Sequence, residues 1–164
     1  MNPTPPPVSA ILSIRVGADL LEEPWDHLNL AETWGDATRN GGVDGGLLLQ
    51  DTHQRATGAH AACRPDLWDQ LDGLLLAWLE ALDALAAGAT TAVVHFPDTR
   101  IECELTALPD DRVAVRYEDI DTTLPRISTQ VALRDAAERL IEAIGSGAAT
   151  PALASLRVRM TKDK

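Results

Sequence analysis

The chain has 164 residues, 45% of them hydrophobic and 24% charged, with a formal net charge of −11 at pH 7. That is the composition of one globular domain able to bury a core of its own. A surface this acidic repels phosphate backbones and anionic membranes, so neither nucleic acid nor membrane is an expected partner, and a basic protein is the electrostatically favoured one. No run reaches the roughly 20 apolar residues of a membrane span. The opening MNPTPPPV has neither the basic nor the apolar region of a signal peptide, so the expected location is the cytoplasm.

Residues 1–8 hold four prolines and read as an extended, disordered arm. Residues 9–147 are then expected to form a single α+β domain, and 148–164 a flexible tail or an edge strand. From Ser9 to Val16, apolar Ala10, Leu12, Ile14 and Val16 share one face, which predicts a strand. Pro24-Trp25-Asp26 punctuates the next stretch, and Leu28 and Leu30 alternate with polar neighbours. Asn40-Gly41-Gly42 and Asp44-Gly45-Gly46 read as turns. Leu47, Leu48 and Leu49 open a strand reaching Thr52, expected to form a hairpin with the Leu28 region.

The strongest helical signal runs from Pro65 to Ala87. Leu71, Leu74, Leu75, Trp78, Leu82 and Leu85 recur at three- and four-residue spacing and form one apolar stripe. Asp69, Asp72, Glu80 and Asp83 are placed on the opposite, outer face, with Leu76 among them. Gly88 supplies the left-handed residue that stops a helix. Thr91 to Phe96, Arg100 to Leu108 and Arg112 to Glu118 read as three antiparallel strands, the last two with strict alternation. A three-residue loop at Pro109 to Asp111 sets their register, with Leu108 opposite Arg112, Leu105 opposite Val115, Glu104 opposite Arg116 and Glu102 opposite Glu118. Asp119 to Pro125 reads as a polar connection. Residues 126–132 fit either a fourth strand (Ile127, Thr129, Val131) or a helix capped by Ser128. From Leu133 the stripe Leu133, Ala136, Ala137, Leu140, Ile141, Ile144 is helical. The resulting expectation is an antiparallel sheet of five or six strands with two helices packed on one face.

Chemistry-bearing residues are sparse. Asp51 with His53, His53 with His60, and His95 with Asp98, Glu102 and Glu104 are the candidate metal or acid–base groups. Arg100, Arg112 and Arg116 share a face with Glu102 and Glu104, so that face reads as a solvated, salt-bridged one. GGVDGG lacks the Rossmann pattern and the Lys-Ser/Thr of a phosphate loop. Cys63 and Cys103 have no metal-ligand spacing, and Cys103 falls on an apolar strand face. No cofactor, metal or catalytic residue is therefore expected. The alternative is a small enzyme or ligand-binding domain with its site near His95 or His53.

The run WDQLDGLLLAWLEALDALAAG (68–88), then HFPDTRIECEL (95–105), DRVAVRYED (111–119) and a closing ERLIEAIG (138–145) resembles small bacterial immunity proteins of the WapI type. Trp78, Leu79, Leu82, Leu85 and Gly88 fit that family's helix ending, and Pro24-Trp25-Asp26 is similar to its aromatic entry into the second strand. The resemblance covers roughly residues 9 to 145 and is one of layout. It implies a non-enzymatic protein that binds and neutralises a toxin, with no catalytic residues. An acidic surface facing a basic toxin domain would then use Asp69, Asp72, Leu76, Glu80 and Asp83 on the helix, and Asp110 and Asp111 in the loop.

Overall fold

The computed structural model describes residues 7–16, 18–25, 38–39, 42–52, 61–65, 68–144 and 150–162. The described chain is α+β. Its strands are β1 (Val8–Val16), β2 (Asp19–Glu22), β3 (Thr38–Arg39), β4 (Gly42–Asp51), β5 (Asp69–Gln70), β6 (Thr91–His95), β7 (Glu102–Leu108), β8 (Arg112–Tyr117) and β9 (Ile120–Pro125). Its helices are α1 (Leu71–Ala86), α2 (Arg126–Ile144) and α3 (Pro151–Lys162). The strands form two antiparallel sheets instead of the one expected. The first has the order β2-β1-β4-β3, with β5 also pairing to β4, and the second is β6-β7-β8-β9. Helix α1 packs against both sheets, so its wide stripe is covered by two surfaces: Leu71, Leu74, Leu75, Trp78, Leu79 and Leu82 are all fully buried.

The second sheet follows its local sequence closely. Leu108 pairs with Arg112, Leu105 with Val115 and Glu104 with Arg116. Pro109–Asp111 is a single 3₁₀ turn in which Asp110 and Asp111 both take positive φ, a conformation aspartate tolerates better than most residues. Glu102 does not meet Glu118. The β7–β8 ladder begins at Glu104, Glu118 turns out of it at φ 49°, and Glu102 pairs with His95 on β6. The polar connection expected at 119–125 is strand β9, because the turn at Glu118 returns the chain along β8 with Ile120 and Leu124 pointing inward.

The first sheet departs from expectation. β1 forms as read, but the Leu47 run pairs with β1, Leu12 opposite Leu47. Leu28 lies outside the described residues. Asp44-Gly45-Gly46 is strand, not turn. A Cβ on Gly45 would lie 2.2 Å from the Ser13 carbonyl oxygen, and one on Gly46 would lie 2.7 Å from that of Pro65. These glycines admit close backbone approach rather than a bend.

Helix α1 begins at Leu71, not Pro65. Gly45 and Asp44 hold Asp69 and Gln70 in a short extended pairing that delays the helix. Its other end is the stop predicted at Gly88: φ is +110°, Gly88 N–H donates to Leu85 O at 3.1 Å and Ala89 N–H to Ala84 O at 3.0 Å. Residues 126–132 are helix. Leu133 and Ala136 fix the buried phase, and one turn back it selects Thr129 (1% exposed) while Ile127 and Val131 turn outward. The strand-like alternation there put Ile127 and Val131 on one face with Thr129, and of the three only Thr129 is inside. The C-terminal stretch is neither tail nor strand. Thr150 caps α3, accepting from Leu153 N–H at 3.1 Å, Pro151 takes the first turn, and Leu153, Leu156 and Met160 face the core.

Candidate binding grooves

The acidic residues expected on the helix's outer face, Asp69 on β5 and the others on α1, do not form one outward surface. Asp69 and Asp72 are 2% and 0% exposed. Asp69 accepts from the backbone N–H groups of Asp98 (2.9 Å) and Thr99 (2.8 Å), holding the β6–β7 loop. Asp72 accepts from Val43 N–H at 3.0 Å and from the Thr150 hydroxyl, so one carboxylate ties α1 to β4 and to the cap of α3. Both correct the outer-face placement, because helix position alone does not reveal which neighbours lie across it. Asp83 accepts from Gln130 Nε2 at 2.7 Å and pairs with Arg159. On this face Asp83 already meets a cation of the chain's own α3, Arg159. What remains open is a shallow groove of about 390 Å³ between α1 and α3, where half-buried Leu76 and exposed Glu80 face Val158 and Lys162. Asp110 and Asp111 are exposed at the opposite turn, and Asp111 pairs with Arg126 at 3.0 Å.

His95 Nδ1 lies 3.5 Å from Glu102 Oε1, with both side chains more than two-thirds exposed. Among the described residues no group of three His, Cys, Asp or Glu side chains is arranged to hold a metal. His53 and His60 lie outside the described residues. Cys63 and Cys103 are buried and form no disulfide. Burial pushes the Cys103 thiol and the Tyr117 phenol up from their ordinary ranges, which keeps both neutral. The Tyr117 hydroxyl donates to Ala62 O at 3.0 Å, joining β8 to the segment whose Ala62 N–H donates to Leu49 O of β4.

The more developed concavity lies between β1 and α2, where the sequence offered no candidate. Strand β2 is four residues long and pairs only with Ser13–Val16. Toward the start of β1 that edge carries no strand among the described residues, and side chains take its place. Glu23 N–H donates to Leu12 O at 2.9 Å, and Leu12 N–H donates to the Glu23 carboxylate at 3.0 Å. Arg139, from α2, donates to Ala10 O at 2.7 Å, to Glu23 at 3.0 Å and to Asp135 at 2.6 Å. Burial alone would lower the Arg139 guanidinium. The hydrogen bond and charge of Glu23, with Asp135, outweigh it and hold the group above its ordinary value, so it stays a cation.

Ala10 and Arg139 line two adjoining hollows. One, of about 430 Å³, runs between Pro7, Val8 and the exposed pair Ile127 (55%) and Val131 (61%). The other, of about 670 Å³, is walled by Pro24, Trp25, Glu142 and Ala143. Trp25 is fixed by its Nε1–H donating to Leu21 O at 2.9 Å. An i, i+4 apolar pair left in solvent at the mouth of an open strand edge suits the docking of a polypeptide. The outward phase of Ile127 and Val131 was readable from the stripe at Leu133. The open edge was not, because it depends on where β2 stops.

No protein-family model matches the chain, and comparison with curated proteins and with solved structures yields no match.

Proposed function

We propose that this chain is a non-enzymatic protein-binding domain of the immunity type, which neutralises a toxin domain by binding it. The observation that carries the reading is the apolar groove beside the open edge of β1, set in a chain of net charge −11. Apolar area at the centre of such a patch supplies affinity, and the acidic surroundings speed the approach of a basic partner. The WapI-type resemblance of layout supplies the partner class. The cytoplasm, where a toxin domain would have to be met, is the compartment this role requires.

The experiment is co-expression. Cells expressing the toxin domain encoded beside the gene for this chain survive when the chain is present, and the two proteins co-purify. Cell death at full expression of the folded chain, with no complex recovered, overturns the reading. The association rate falls with salt, since screening at about 0.15 M acts beyond about 8 Å.

A further inference from the structure

We infer that the β1–α2 groove takes its occupant as an extended strand, added to the open edge of β1 beside Val8 and Ala10, and that the occupant alternates apolar with Lys or Arg residues. This rests on the protein-binding reading above and specifies its site and mode.

The edge itself is the first argument. Backbone groups of a strand point alternately to its two sides. Leu12 and Ala10 turn theirs away from β4 and toward Glu23 and Arg139, while Pro7 O turns to Thr52 N–H at 2.9 Å on the β4 side. Val8 shares the phase of Ala10 and Leu12, so it faces the open side too. Arg139 therefore donates to Ala10 O where a neighbouring strand's N–H would donate. An incoming strand in line with β2 takes over that bond, and Arg139 keeps its carboxylate partners Glu23 and Asp135. Apolar side chains on alternate positions of the newcomer then lie against Ile127 and Val131.

Charge selects the occupant. Among the described residues the walls of the two hollows carry Glu23, Asp135 and Glu142 against a single cation, Arg139. This excess suits Lys or Arg on the newcomer. A second copy of this chain would bring the same carboxylates against themselves across a twofold axis, on top of a −11 charge on each chain. Dimerisation is therefore disfavoured at this edge.

The test uses the full chain and an acetylated peptide of alternating valine and lysine, about eight residues long, a common strand length. Amide spectra should shift at Val8, Ala10, Ile127 and Val131. Methylating the peptide's backbone nitrogens on the edge-facing side should abolish binding, as should exchanging lysine for glutamate. Val131→Lys should weaken binding about tenfold by removing apolar contact and adding like charge, whereas Glu80→Lys in the α1–α3 groove should not. Undiminished binding of the N-methylated peptide, shifts on another face, or no binding at all overturns the proposal. So does a dimer through β1 that strengthens with salt. If the chain protects cells from the toxin while any of these holds, the function stands and the mode of docking falls.

Discussion

The two grooves along the helices show opposite uses of acidic side chains. In the α1–α3 seam Asp72 is buried and half-exposed Asp83 is turned to the chain's own groups, while Glu80 stays exposed. Asp72 serves Val43 N–H and Thr150, and Asp83 serves Gln130 and Arg159. In the β1–α2 groove, Asp135 and Glu142 stand at the rim, and a single arginine serves Glu23, Asp135 and a strand carbonyl at once. Acidic residues spaced along a helix therefore do not by themselves make a docking surface. In both grooves the chain supplies partners, Arg159 and Gln130 for Asp83 and Arg139 for Glu23 and Asp135. The difference is what lies beside them: Asp72 is fully buried in the seam, whereas Asp135 stands in water next to exposed Ile127 and Val131, where charge and apolar surface remain for another molecule.

The largest expected effect tests the framework both grooves share. Trp78→Ala empties a fully buried site on α1 and should cost about 3–5 kcal/mol in chemical denaturation. A loss under about 1 kcal/mol would mean that α1 is not the common support of the two sheets.

Asp72→Ala comes next and sharpens the contrast. It strands a buried Val43 N–H and removes the anchor of the α3 cap, for an expected loss of about 2–3 kcal/mol. Hydrogen exchange should rise along 150–162 before it rises elsewhere. Uniform exchange across the chain would show that α3 is not held through this carboxylate.

Asp83→Ala removes a half-exposed partner of Arg159 and should cost about 0.5–1 kcal/mol, a value already reduced for solvent screening. If the acidic face of α1 were a partner surface rather than an internal seam, this variant would slow toxin association more than it lowers stability.

Val131→Lys is expected to change stability by no more than about 0.5 kcal/mol, since the side chain is mostly in water. Protection of toxin-expressing cells should nevertheless fall. Equal protection by the variant would break the comparison, leaving the β1–α2 groove as surface without function.

Much of the second sheet was legible from the sequence because its information is local. Alternation along β7 and β8 fixes their faces, the three-residue turn at Pro109–Asp111 fixes their register, and Gly88 ends the helix through its own backbone freedom. The α3 helix also had a local signal, Thr150-Pro151, within the stretch expected to be a tail or an edge strand. The rest depends on atoms far apart in the chain. Gly45 and Gly46 read as turn residues until Ser13 and Pro65 are seen pressing on them. Asp72 reads as a surface acid until Val43, 29 positions away, and Thr150, 78 positions away, close around it. Arg139 meets Ala10 across 129 positions. Periodicity determined which residues share a face of a helix or strand. Only the packing of those faces decided which polar groups found partners inside the chain, because hydrogen bonding and desolvation are settled by neighbours in space and not by neighbours in sequence.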